Sequence, residues 1–229
     1  MAMIQCSKCG TDISDKAKIC PYCGEKYKRG NKKLIIFISI AVIIIIAAVV
    51  SVVIVGNNNK KKKERKIYVE HYNECVQNFK DIKTGAEKGI VIGDKLAALT
   101  SSVWSDSIFK QASLDTIMYT FKDDTWQSYS QALNNMYADE TVKSSIDSLK
   151  KIKQDVNQKL NDINDVPDEL KEEYESAKTF VAFFNDRVDF CSKASGSLST
   201  YRTTYESKKT AYSQALTRFS AKMPKEIEE

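Results

Sequence analysis

The most apolar stretch of the chain is LIIFISIAVIIIIAAVVSVVIV, Leu34 to Val55, with Ser39 and Ser51 as its only polar interruptions and no charge. As a helix it would reach roughly 33 Å, against about 30 Å of bilayer hydrocarbon. Its β-branched residues favour strand in water. In lipid the backbone must satisfy its own hydrogen bonds, so helix wins. The block is longer than the usual apolar core of a signal peptide, about 7–15 residues, and it begins late. The pattern therefore predicts an uncleaved transmembrane helix over 34–55. Gly56-Asn57-Asn58-Asn59 reads as its polar exit.

From Lys60 onward the periodicity turns amphipathic and helical. Segment 60–84 puts Ile67, His71, Cys75, Phe79 and Ile82 on one stripe. A second helix is expected from about Ala86 to Gln111, weakened by Gly89 and Gly93. Ser113 to Asp124 has aromatics without a period and reads as a turn or short helix, with Asp124 as N-cap of the next helix. Over 140–164 the apolar seam is regular: Val142, Ile146, Leu149, Ile152, Val156, Leu160 and Ile163. It stops at Asn164-Asp165-Val166-Pro167, where proline disfavours helix at the residue before it and suits the first turn of the next. The last helix runs from Leu170 through Cys191 and on through Leu198 to Phe219, with Ser195-Gly196-Ser197 placed to kink or break it. Helices this long, joined by short turns, pack as antiparallel neighbours.

Charge divides along the chain. Residues 1–33 hold eight basic and three acidic side chains, 60–66 six and one, and 67–229 twenty-one and twenty-six. The basic flanks of the apolar block nearly tie, so charge does not orient it. The acidic balance of the C-terminal part argues against nucleic-acid binding there.

Four of the six cysteines lie in the first 23 residues, as Cys6-Ser-Lys-Cys9-Gly10 and Cys20-Pro-Tyr-Cys23-Gly24. Two CxxC turns can bring four thiolates onto one tetrahedral Zn²⁺, and a glycine after each second cysteine can take the positive φ that folds the chain beneath the metal. Cys6, Cys9, Cys20 and Cys23 are thus the expected ligands of one structural zinc ion, which would supply most of the folding energy of so small a head. The stretch CSKCGTDISDKAKICPYCGEKY resembles the short bacterial zinc-ribbon family found at protein N-termini, over residues 4–27. An N-terminal ribbon followed by one span also resembles a common layout of Gram-positive membrane proteins. Cys20-Pro-Tyr-Cys23 equals the glutaredoxin redox motif, but no βαβ pattern surrounds it and a second CxxC lies nearby.

The weaker signals have bland readings beside sharp ones. Cys75 and Cys191 are either two small buried residues or a disulfide. His71, near Glu70 and Glu74, reads as structural rather than catalytic. Tyr201, Tyr205 and Tyr212, with Phe183, Phe184 and Phe219, read as core before groove, and Trp104 and Trp126 as core or turn anchors. The KKKKERK run after the apolar block reads as a solvated collar before a grip on anionic lipid. Asp123-Asp124 and Glu172-Glu173 read as helix-start charges. No GxSxG, HExxH or phosphate-cradling glycine loop occurs, and no enzyme activity is expected.

The expected fold is mainly α: a small N-terminal zinc ribbon with four cysteine ligands, one transmembrane helix and an elongated antiparallel helical bundle. Its divisions are 1–28 ribbon, 29–33 basic linker, 34–55 span, 56–66 polar and basic linker, 67–222 bundle and 223–229 tail. Because zinc thiolates persist where thiols stay reduced, the ribbon is expected in the cytosol and the bundle outside the cell membrane. The expected function is a single-pass binding or sensing protein relaying an envelope signal. Its expected partners are membrane lipid at the span, a protein for the ribbon and an envelope ligand for the bundle. The alternative is a membrane-tethered regulator binding nucleic acid through the ribbon.

Overall fold

The computed structural model describes residues 2–26, 32–111 and 113–228, without the side chains of 32–44, 46 and 53. It divides into two units, Met1–Lys63 and Glu64–Glu229.

In the first unit, strands β1 (Met3–Gln5) and β2 (Asp12–Ser14) pair antiparallel with Ile4 opposite Ile13. Their core is Cys6, Ile13 and Cys20, with Ile4, Ala17 and Cys23 packed against it. A single further bridge joins Ile19 and Lys26.

The expected transmembrane helix requires correction. The apolar block is the leading part of helix α1 (Lys32–Phe109), which runs without interruption through Gly56-Asn59 and the lysine run. Among the described residues no helix is long and apolar enough to cross a membrane. Within 34–55, the side chains of 34–44, 46 and 53 lie outside the described residues. The apolar block leads straight into Asn and Lys within the same helix.

The second unit is an up-down-up-down arrangement of four long helices. These are the later part of α1, α4 (Glu140–Asn161), α5 (Lys171–Cys191) and α6 (Leu198–Ala221). Contacts fix the directions. The α1 glycines 85, 89 and 93 approach Val156, Ile152 and Leu149 in turn, so α4 runs against α1. Lys153 meets Asp189 and Asn157 meets Asn185, so α5 runs against α4. Phe180 stacks on Phe219 and Phe190 on Tyr201, so α6 runs against α5. Phe79, Ile82, Val103, Leu149, Phe180, Phe184 and Phe219 are fully buried between these helices.

Two helices are expected from the sequence over 60–111, yet α1 does not break there. It contains no proline, and Gly85, Gly89 and Gly93 serve packing. A Cβ on Gly89 would stand 3.0 Å from the Phe184 ring and 3.1 Å from Ile152. One on Gly85 would stand 2.9 Å from Val156. These positions recur every four residues on one face, where α4 and α5 come close. Gly89→Ala should therefore destabilise the bundle by about 1–3 kcal/mol through overpacking, although alanine is the better helix former by roughly 1 kcal/mol. Urea unfolding of the two proteins checks this. An unchanged or raised midpoint would refute the close-packing role.

Between α1 and α4 the chain makes α2 (Ile117–Thr120), a hairpin of β3 (Phe121–Lys122) and β4 (Thr125–Trp126), and α3 (Tyr129–Ala138). Asp123 and Asp124 are not helix-start charges. They form the hairpin turn at φ 50° and 58°, the left-handed pair that suits a two-residue turn. Phe121 and Trp126 pack edge to face across it. The N-cap expected at Asp124 belongs to Ser128, whose hydroxyl accepts from the Gln131 N–H. Helix α4 is capped by Asp139, which accepts from Thr141 and Val142. Helix α5 ends after Cys191, and Ser197 caps α6 beyond Gly196, so of the kink or break expected there the chain makes the break.

Residues 223–228 return along α1. Asn73 exchanges two hydrogen bonds with the Ile227 backbone, both at 2.9 Å, and Arg65 donates to the Glu228 carbonyl.

Candidate metal centre

The two cysteine turns are built alike. In each, the first cysteine's carbonyl accepts from the glycine N–H four residues on, Gly10 to Cys6 and Gly24 to Cys20. In each, the first cysteine's N–H donates to the carbonyl five residues on, Thr11 and Glu25. Gly10 and Gly24 sit at φ 71° and 74°, which a side chain would strain. Ile19 bridges Lys26 at the place where Gln5 pairs with Asp12 in the first turn. The same loop is thus used twice, fourteen residues apart.

This geometry converges the four sulfurs. All lie within 4.8 Å of one another. Cys6 and Cys23 Sγ are 3.7 Å apart, as are Cys9 and Cys20 Sγ. A tetrahedral ion with zinc–sulfur bonds of about 2.3 Å sets its sulfurs roughly 3.8 Å apart, so the four residues fit Zn²⁺. When bound, the ion would crosslink the two turns. The residues prepare the thiolates for it. Backbone N–H groups of Lys8 and Cys9 lower the Cys6 thiol below its ordinary range. The Thr11 hydroxyl, then its N–H, bring Cys9 down to about 6. At Cys23 the Glu25 N–H pulls downward, but desolvation and the three crowded sulfurs outweigh it and push the thiol up to about 12. A dication at the centre of the four sulfurs would relieve that crowding. Lys8 and Glu25, 2.9 Å apart, tie one turn to the other across the surface.

Thr11, Ile13 and the Lys8–Glu25 pair carry no signal of their own in the sequence. Only the fourteen-residue repeat of the loop could have pointed to Thr11.

Residues 2–27 match the family model of a zinc-ribbon domain, which covers the ribbon and none of the helical unit. No curated protein and no solved structure matches the chain. The N-terminal head is a zinc ribbon in which Cys6, Cys9, Cys20 and Cys23 could hold one zinc ion.

The remaining candidates take hydrogen-bonding and packing positions in the helical unit. His71 Nε2 lies 3.0 Å from the Asp165 carbonyl and fastens the turn after α4. Cys75 and Cys191 are free and buried. Cys191 Sγ sits 3.4 Å from where a Cβ on Gly93 would be, eighteen residues along α1 from Cys75. That is about 27 Å of helix, so no disulfide joins them. Burial raises both thiols, Cys191 to about 12. Tyr201, Tyr212, Phe184 and Phe219 are core, while Phe183 is exposed. Trp104 is buried and stacks on Tyr129. Tyr205 and Tyr212 face the Arg187 guanidinium, an arrangement with no sequence signal.

Proposed function

We propose that this chain is a binding protein whose zinc ribbon recognises another protein, with the helical unit as a separate binding body. The observation that carries the reading is the closed set of four cysteine sulfurs. A zinc ion held by all four has no position for water or substrate, which is the design of a structural rather than a catalytic site. The ribbon presents large apolar side chains to solvent, Met3, Ile19 and Tyr22, with Tyr22 at 74% exposure in the second turn. Such residues anchor protein contacts better than nucleic-acid phosphates. The zinc thiolates suit a reducing compartment, as in the cytosol.

Tyr22→Ala tests this. Its zinc content should match the wild type, while proximity labelling in cells should lose one discrete set of neighbouring proteins. Identical neighbour sets would refute the reading. The basic balance of residues 1–33 favours the second reading, nucleic-acid binding. That reading requires a salt-sensitive shift of labelled RNA or DNA by the zinc-loaded chain, strongest at low salt.

A further inference from the structure

The four sulfurs are alike in bonding but unlike in access. Cys6 and Cys20 are 5% and 2% exposed, Cys23 is half-buried, and Cys9 is exposed. The difference follows from the fold. Cys6 follows directly on β1 and Cys20 ends the spacer, and both turn inward onto Ile13. Cys9 stands in the first turn beside Gly10, where, as at Gly24 in the second turn, nothing lies within 4 Å of the Cβ position. The second turn is not its equal, because Cys23 packs against the small core. Outside the sulfur cluster, the Cys9 thiol donates to the Thr11 hydroxyl at 3.5 Å. Cys9 also has a defined inner neighbour, Cys20, whose sulfur is 3.7 Å away and shielded from solvent.

We infer that Cys9 is the site at which electrophiles, peroxides among them, modify the zinc ribbon, and that Cys20 is the partner that closes the resulting cross-link. The inference rests on the zinc-ribbon reading above. In the first step the Cys9 sulfur attacks a peroxide oxygen. An S–O bond forms, the O–O bond breaks, and the departing hydroxide takes a proton to leave as water. Cys9, now a sulfenic acid, is no longer an anionic ligand. In the second step the Cys20 thiolate attacks the Cys9 sulfur. An S–S bond forms, the S–O bond breaks, and a second hydroxide leaves with a proton as water. Two sulfurs have lost two electrons to one peroxide. The sulfurs must close from 3.7 Å to about 2.05 Å, a shift the short turns can make once two ligands have left the cluster. Cys75 and Cys191 do not compete, because both are buried in the helical unit and their thiols are raised.

The experiment uses the full wild-type chain with its zinc content measured first. Substoichiometric N-ethylmaleimide is added, zinc release is followed with a chromogenic chelator, and the adduct is mapped by peptide mass spectrometry. Cys9 should carry the first adduct at least about tenfold ahead of Cys6 and Cys20, in step with zinc release. In a parallel sample treated with hydrogen peroxide, the disulfide should map to Cys9–Cys20. Adducts arising first on Cys6, Cys20 or Cys23, or a disulfide within one turn, would overturn the inference while leaving the zinc-ribbon reading intact. A chain that binds no zinc overturns both.

Discussion

Stripping zinc from the chain should unfold residues 2–26 and leave the helical unit folded. Among the described residues of the ribbon, those buried are Cys6, Ile13 and Cys20. Full burial of one isoleucine contributes roughly 1.5–3 kcal/mol, too little to offset the ordering of the ribbon backbone. A structural zinc ion supplies apparent binding energies of about 10–16 kcal/mol near neutral pH, which makes it the largest single source of stability in the ribbon. The helical unit has its own core, from Cys75 to Phe219, and shares no buried residue with the ribbon. Hydrogen exchange after chelation should show protection lost at the amides of Cys6, Gly10, Cys20 and Gly24, all of which donate within the turns. The α4 and α5 amides should keep theirs. Cys20→Ser should reproduce the chelated pattern. Retained protection across residues 2–26 would refute the argument.

The second large effect concerns a charge pair inside the bundle. Arg187 on α5 donates to Asp94 on α1, and its guanidinium lies between the rings of Tyr205 and Tyr212, 5.7 and 5.1 Å from their centroids. The arginine side chain is 3% exposed and that of Asp94 37%. This asymmetry decides the outcome. Without Asp94, Arg187 is left as an uncompensated buried cation that cannot lose its proton, at a cost of about 3–5 kcal/mol. Without Arg187, the Asp94 carboxylate can turn to water, and a methionine can fill much of the space between the tyrosines. Asp94→Ala should therefore lower stability by about 3–5 kcal/mol and Arg187→Met by under about 2 kcal/mol. Urea unfolding gives both. If Arg187→Met proves as costly as Asp94→Ala, the burial asymmetry is not what governs the pair.

The Arg187–Asp94 pair also marks where reading along the chain stops. Its members are 93 residues apart, and each looks like an ordinary helical surface charge until α1 and α5 are placed side by side. The α4 seam was legible because Val142, Leu149 and Val156 recur at helical spacing on one buried face. The metal ligands were legible because CxxCG needs no tertiary context to bring two sulfurs together. The glycines of α1 misled, since helix propensity counts Gly89 as a weakness while packing against Phe184 requires it. Asp123-Asp124 misled for a related reason. Acidic residues favour helix starts, yet aspartate also tolerates the left-handed conformation that the hairpin turn demands. In the apolar block, composition argued for a span. The structure continues the same helix into asparagine and lysine, and offers no qualifying stretch among the described residues.

The return of residues 226–228 to α1 has an engineering consequence. Arg65 Nη2 lies 3.3 Å from the Glu228 carbonyl, so the two ends of the helical unit are neighbours. A unit whose ends meet can be spliced into a surface loop of an unrelated host, or reconnected and reopened at the α5–α6 break near Gly196, without pulling its helices apart.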